Sequence, residues 1–344
     1  MSTTLESLAT HTTDFIPRRF LSNGHLQTIV GNFLPRHNTL PHAEPTLVEV
    51  SPATEDQISS QIRCDCHWQP LDVRASHHTA IIVHGLEGSS SSQYVVGNAN
   101  KLWQAGANVV RMNMRNCGGT EALTPTLYHS GLSGDVDAVM RHFTSLYGLT
   151  SVSLIGYSMG GNLVLKLAGE LSTSAPPQLR SVIGVSPAID LGPSADTLHA
   201  PQNRLYESRF LSALLRRFRR KAALFPRAYD PARADAVRSI RDFDQRITAL
   251  YSGFSGADDY YYRAASARVL DRIAVPTLIL NAADDPFIRL LPASRVLIAA
   301  NPHVTLLEPA HGGHCAFLAT PNRATHYDGY WAEHTLLRFL FDHA

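Results

Sequence analysis

From residue 79 onward, short β-branched and apolar runs alternate with longer stretches of helical periodicity, and this alternation constrains the fold more than any other feature of the chain. The runs are Thr79 to Val83, Asn108 to Met112, Val152 to Ile155, Ser181 to Val185, Pro276 to Ala282 and Val304 to Glu308. Short, largely apolar runs of this kind are strands of a sheet covered on both faces, so six of them separated by helices predict an α/β protein: a mostly parallel, doubly wound central sheet with helices on both faces. Upstream, Thr46 to Val50 and Ser60 to Trp68 alternate with period two, placing Ile62, Cys64, Cys66 and Trp68 on one face. That pattern predicts an antiparallel hairpin with Cys64 and Cys66 as core-facing strand residues.

Residues 186–275 show no convincing buried strand and several amphipathic helical stretches, so they are expected to form a helical cap inserted into a core of residues 46–185 and 276–344. Residues 1–45, punctuated by Pro17, Pro35, Pro41 and Pro45, read as an irregular arm over the domain. Its apolar Phe15, Ile16, Phe20, Leu21, Leu26 and Ile29 are expected to pack on the core or beside the cap. Inside the cap, Phe210, Leu211, Leu214, Leu215 and Phe218 recur at helical spacing, with Arg209, Arg216, Arg217, Arg219, Arg220 and Lys221 crowding the other positions. The expected reading is a solvated basic face complementing the helix dipole; docking to an anionic surface or lipid head groups is the alternative, and membrane contact is not the expectation.

A formal net charge of +1 over 344 residues provides no global field toward nucleic acid or an anionic membrane. Four cysteines in a chain of this length make no disulfide framework, and a reducing compartment fits them best. Met1 to Arg19 lacks the apolar run of an export signal, and no segment of about 20 uninterrupted apolar residues offers a membrane span, so the cytoplasm is the expected location.

The chemistry centres on Gly156-Tyr157-Ser158-Met159-Gly160, which follows one strand and precedes a helical stretch, Asn162 to Leu171. A G-x-S-x-G sequence in that strand–turn–helix context is a nucleophile elbow, in which glycines let the backbone turn sharply beneath the serine. A serine hydroxyl is a weak nucleophile at neutral pH, so a histidine must take its proton and a carboxylate must fix that histidine. In chain order the acid should follow the serine and the histidine should come last. Asp285, in Asp284-Asp285-Pro286 after the strand ending at Ala282, is the expected acid, with Asp284 the fallback. His314, after Gly312-Gly313, is the expected base, with His311 its competitor. The backbone N–H groups of Met159 and, in the loop His84-Gly85-Leu86-Glu87-Gly88, of Leu86 are the expected oxyanion donors, and His84 is expected to prop that loop.

These residues resemble the α/β-hydrolase superfamily, and within it the YheT-like branch of carboxylesterases to which the eukaryotic ABHD-type lipases are related. The resemblance runs from about residue 15 to the C-terminal helix. Its landmarks are Asn23-Gly24-His25-Leu26-Gln27-Thr28, His84-Gly85-Leu86-Glu87-Gly88-Ser89, Arg115-Asn116-Cys117-Gly118-Gly119, Gly156 to Asn162, Asp284-Asp285-Pro286-Phe287 and His311-Gly312-Gly313-His314. It implies a Ser158, Asp285, His314 triad, no cofactor, and carboxylesterase or acylglycerol-lipase-like activity. One departure stands out: Asn116 occupies a place where the branch carries glycine, and asparagine tolerates the left-handed conformation expected there.

The expected activity is therefore hydrolysis of carboxylic esters through an acyl-enzyme on Ser158, with a small-molecule ester bearing an apolar acyl group as partner. Apolar Phe210, Leu214 and Phe218, together with Tyr260, Tyr261 and Tyr262, are the candidate acyl pocket. Thioester, amide and acyl-transfer chemistry use the same triad. Two alternatives come from other classes: a binding module that keeps the pocket without turnover, and a metal-dependent hydrolase using His311, His314 and Cys315. No metal, cofactor or nucleic acid is expected, and the sequence leaves the oligomeric state open.

Overall fold

The computed structural model describes residues 15–55 and 57–344, so the first fourteen residues of the expected arm lie outside the described residues. Eight strands form one sheet: β1 (Glu44–Ser51), β2 (Ser60–His67), β3 (Thr79–Val83), β4 (Asn108–Met112), β5 (Val152–Tyr157), β6 (Leu179–Val185), β7 (Thr277–Leu280) and β8 (Val304–Leu307). Their order is β1-β2-β4-β3-β5-β6-β7-β8. The hairpin β1–β2 and the β2–β4 pair are antiparallel, and every other pairing is parallel. The helices are α1 (Gly24–Phe33), α2 (Gln93–Gln104), α3 (Ser133–Tyr147), α4 (Met159–Leu171), α5 (Leu191–His199), α6 (Arg204–Leu224), α7 (240–251), α8 (Ala257–Ala264), α9 (Pro292–Ala300) and α10 (Trp331–Asp342).

The pleat divides the core in two, because successive side chains of a strand point to opposite faces. Ile81 and Val83 of β3 pack with Val110, Leu154 and Val182 beneath Val139 and Phe143 of α3 and Leu163 and Leu167 of α4. Ala80 and Ile82 point the other way, with Val109, Ile155 and Ile183, onto Val95 and Leu102 of α2 and Leu336 and Phe339 of α10. Strands covered on both sides have no solvated face to show, which is why their sequences read as largely apolar runs.

Parallel register sets the position of the site. Val83 lies opposite Gly156, and Gly156 opposite Gly184, so β3, β5 and β6 reach the same level together. The loops that follow them, opening with His84, Ser158 and Ser186, emerge side by side at the carboxyl end of the sheet, where ligands of open α/β sheets bind.

Two expectations need correction, while the antiparallel hairpin with core-facing Cys64 and Cys66 is as expected. The arm is not irregular throughout: Gly24–Phe33 is helical, with the Asn23 side chain accepting from the His25 and Leu26 N–H groups as its N-cap. In β2 both faces are covered, because besides Cys64 and Cys66 the intervening Asp65 and His67 are buried. Ser90 donates to Asp65 and Arg111 to His67, so polar partners from the loop after β3 and from β4 cover the second face. All four cysteines are free thiols, and burial pushes the Cys66 thiol up to about 12. Finally, the basic side of α6 is not a plain solvated face, as its contacts with the core loops show below.

Between β6 and β7 the chain runs through α5 to α8 without a strand, and α7 contains a π-turn over Asp244–Thr248. Among the described residues no helix is long and apolar enough to cross a membrane.

Candidate active site

Ser158 sits at the tip of β5, at the N-terminal boundary of α4, with φ 54° and ψ −116°. For a non-glycine residue that is strained backbone, and it persists only where the surroundings over-determine it. They do so here. A Cβ on Gly156 would lie 2.2 Å from the Gly160 carbonyl oxygen, and one on Gly160 would lie 2.4 Å from the His84 carbonyl oxygen. The Ser158 N–H donates to Val185 (2.9 Å), while its carbonyl accepts from Asn162 (3.1 Å) and Ala188 (3.2 Å). Helix α4 thus presses against the ends of β3 and β6 and holds Ser158 up.

Asp285 and His314 come together. His314 Nδ1 lies 2.8 Å from Asp285 Oδ2, and both residues are buried or nearly so. The other carboxylate oxygen, Oδ1, accepts from the backbone N–H groups of Phe287 (3.0 Å) and Ile288 (2.9 Å), which locks the carboxylate plane. Burial disfavours a charged His314, but the Asp285 carboxylate and Cys315 together outweigh it and hold the imidazole pKa above its ordinary value. The Phe287 ring packs on the imidazole with centroids 4.3 Å apart.

The competing residues go elsewhere. Asp284 accepts from the Gly313 N–H (2.8 Å) and faces His311 Nδ1 at 3.4 Å, so this second pair shapes the loop beneath His314. Neither Asp284 nor His311 lines the cavity in which Ser158 and His314 are exposed. The three residues of the metal alternative also diverge: His311 turns to Asp284, His314 to Asp285, and the Cys315 thiol to the Val185 carbonyl at 3.8 Å. Among the described residues no three His, Cys, Asp or Glu side chains converge as a metal site would require.

The cavity holds about 690 Å³ and is lined by Leu86, Ser158, Met159 and His314 from the core together with Phe210, Leu214 and Phe218 of α6. Tyr260 and Tyr261 of α8 also line it; Tyr262 does not, being exposed beneath the Arg268 guanidinium. The N–H groups of Leu86 and Met159 donate to no described residue, leaving two free donors beside the serine. His84 props the loop that carries the first: its Nε2 accepts from the Met114 N–H (3.1 Å), so Nδ1 carries the proton and donates to the Gly85 carbonyl (2.7 Å). Burial keeps that ring neutral, pushing its pKa down to about 4.

A sequence model of the alpha/beta hydrolase fold matches residues 81–321. The chain belongs to the α/β-hydrolase family. This hydrolase is similar to the candidate esterase YheT of Escherichia coli, at 31% identity over 89% of this chain and 87% of that protein. It is also similar to the phospholipase ABHD3 of Mus musculus, at 32% identity over 73% of this chain; the match spans 61% of that longer protein. Among solved structures, the esterase Pf2001 of Pyrococcus furiosus superposes with a TM-score of 0.52 at 14% identity, over 89% of this chain and 98% of that one, a likeness of fold.

Three supports of the hydrolase site were not read from the sequence. Tyr94 on α2 accepts the Gly85 N–H on its hydroxyl (2.8 Å), fixing the donor loop from the other side. Helix α6 clamps the same loop: Arg217 reaches Glu87, next to Leu86, at 2.9 and 3.1 Å, and Tyr128 donates to the same carboxylate. Farther along, Arg220 pairs with Glu121 (2.7 Å), and the buried Lys221 ammonium meets Asn116 Oδ1 (2.6 Å) and the carbonyls of Glu121 and Thr124. Burial, partly offset by Glu121, pulls Lys221 down to about 7. Asn116 itself takes φ 64°, the left-handed conformation expected of it.

The third support is α1. Thr28 donates to the Gly24 carbonyl (2.7 Å) and accepts the N–H of His314 (2.8 Å), while the buried Gln27 amide both donates to and accepts from the Leu318 backbone. Gly24 permits this contact, since a Cβ there would lie 2.0 Å from the Asp284 carbonyl oxygen. Gly24→Ala is therefore expected to push α1 away from the His314 loop, costing about 1–3 kcal/mol of stability. If His314 is the base expected from the sequence, its misplacement should also lower kcat/KM by about 10- to 100-fold. Thermal melting and ester kinetics on the same preparation check both; an unchanged kcat/KM would remove α1 from the site.

Proposed function

We propose that the protein hydrolyses carboxylic esters through an acyl-enzyme on Ser158, with His314 as general base and Asp285 as the residue that orients it. The observation that carries this reading is that His314, paired with the buried Asp285, lines one cavity with a serine held on a strained elbow. The names of the relatives, a candidate esterase and a phospholipase, point to the same bond type.

In the first half-reaction the Ser158 oxygen attacks the acyl carbon while His314 takes the hydroxyl proton. The carbonyl oxygen becomes an alkoxide, and the free N–H groups of Leu86 and Met159 stabilise it. Collapse breaks the ester C–O bond, and the imidazolium returns its proton to the departing alcohol. Water, deprotonated by His314, then attacks the acyl-enzyme, and the second collapse releases the carboxylic acid and restores Ser158. Residues 186–275 act in this reading as a cap over a core of 46–185 and 276–344, with residues 1–45 as the arm. The cap's Phe210, Leu214, Phe218, Tyr260 and Tyr261 provide the walls for an apolar acyl chain.

A fluorophosphonate probe mapped by mass spectrometry tests the nucleophile, and the expected adduct lies on Ser158 alone. A p-nitrophenyl ester series tests the pocket. Burying a methylene is worth about 0.8 kcal/mol, so kcat/KM should rise roughly fourfold per added carbon until the cavity is full. A rate independent of acyl length would remove the acyl-pocket reading, and the absence of both adduct and turnover would favour a binding module.

A further inference from the structure

Helix α1 is amphipathic in the reverse sense for a helix at a water-facing surface. Gly24, Gln27, Thr28 and Gly31 are turned to the core, while Leu26, Ile29 and Phe33 face outward with 47%, 44% and 68% of their surfaces exposed. Spacings of three and seven residues put those three side chains on one stripe. The apolar surface does not stop there. In the preceding segment Ile16 and Phe20 are exposed, and on α6 so is Leu205, at 86%.

These elements abut one another: the Tyr206 ring stacks on His25 at 5.8 Å between centroids, and the Arg209 guanidinium lies 5.5 Å from the Phe33 ring centroid. Single exposed apolar residues on a protein need no explanation, whereas a stripe of three along one helix, two of them lining the cavity and the helix packed against the start of α6 beside exposed Leu205, does. Ile29, Phe33, Arg209 and Arg216 also line the cavity of Ser158, so this face is where the cavity meets solvent.

The exposed charged residues that line the cavity are Arg209 and Arg216, and Arg18 and Arg19 belong to the segment before α1. Arg18, Arg19, Arg209 and Arg216 are exposed and pair with no described carboxylate, in contrast to Arg217 and Arg220, whose charges are matched by Glu87 and Glu121. An apolar stripe bordered by unmatched arginines is complementary to a layer with apolar tails and anionic head groups. A protein covering the same face would block the entrance that Ile29 and Phe33 line, whereas a lipid layer can feed it.

We propose that this face, formed by α1, the segment before it and the start of α6, docks on an anionic lipid surface from which the enzyme takes its acyl substrate. The delivery of substrate rests on the ester-hydrolase reading; the docking does not.

Vesicle flotation tests it, using phosphatidylcholine vesicles with and without phosphatidylglycerol at low and physiological salt. The wild-type chain should float with the anionic vesicles and do so less as salt rises. Leu26→Asp/Leu205→Asp should reduce that partitioning by about tenfold or more, because both apolar contacts are lost. Neither residue lines the cavity, so hydrolysis of the soluble p-nitrophenyl acetate should be unchanged in the double variant, which also verifies its folding. Wild-type protein that stays with neither vesicle type, or a double variant that floats as well as wild type, overturns the proposal. So does a Leu26-dependent dimer in sedimentation velocity without flotation, which assigns the face to a second copy, or flotation that appears only after deletion of residues 1–14. Flotation without any esterase activity keeps the docking and overturns the ester-hydrolase reading instead.

Discussion

Ser158→Ala is expected to lower kcat for any ester the wild type turns over by about 10⁵-fold or more, because in the proposed acyl-enzyme mechanism it removes the covalent route altogether. The residual rate would come from the two free N–H donors and from binding, which need no nucleophile. The substitution is benign for the fold. The strain at residue 158 belongs to the backbone (φ 54°), and the surrounding contacts that impose it are made by Gly156, Gly160 and main-chain hydrogen bonds, none of which uses the hydroxyl. Alanine keeps a Cβ in the same place, so KM and thermal stability should move little. Single-turnover kinetics with a p-nitrophenyl ester gives the test: a burst in wild type and none in the variant. A Ser158→Ala protein within about tenfold of the wild-type rate would leave the acyl-enzyme mechanism without its nucleophile.

The elements that could be read in advance are those whose signal is local. β3 and β4 run from Thr79 to Val83 and from Asn108 to Met112, the same bounds their apolar runs have in the sequence, because each is buried on both faces and ended by a polar or glycine turn. The elbow is equally local, since its glycines, serine and flanking strand lie within ten residues. Helix α1 defeated the same method for a physical reason. Its buried face is glycine, glutamine and threonine, so hydrophobic periodicity points away from the core instead of toward it. The basic residues of α6 misled in a related way, because Glu87 and Glu121, which pair with Arg217 and Arg220, lie 130 and 99 residues away in the chain. The hydroxyl of Tyr94 on the Gly85 N–H belongs to the same class. Pairings of that kind are made by topology, and no window of sequence contains both partners. The choice of Asp285 over Asp284 lies between these cases: the sequence ranked them by distance from the strand, and the contacts of the two carboxylates separate them.

Asp285→Asn puts that separation to a functional test, with an expected loss of about 10⁴-fold in kcat. The size follows from how residue 285 is held. Oδ1 accepts from the N–H groups of both Phe287 and Ile288, so an asparagine must place its carbonyl oxygen there and turn its amide nitrogen to His314. An N–H group facing Nδ1 forces that atom to accept, which moves the ring proton to Nε2 and leaves no lone pair to take the proton of Ser158. The pH profile gives a second readout. His314 must be neutral to act as base, and Asp285 together with Cys315 holds its pKa above the ordinary histidine value, so activity in the wild type should rise with pH through an acid limb above about 6.5. In Asp285→Asn the carboxylate is gone while burial remains, so the acid limb of the residual activity should move to lower pH. Asp284→Asn is the control. Its oxygens serve the Gly313 N–H and His311, at the loop beneath the base, so its acid limb should stay at the wild-type position even where kcat falls with the loop's order. If Asp284→Asn shifts the acid limb and Asp285→Asn does not, the orienting carboxylate is the other one, and the pair 2.8 Å apart in the resting structure is not the pair that works.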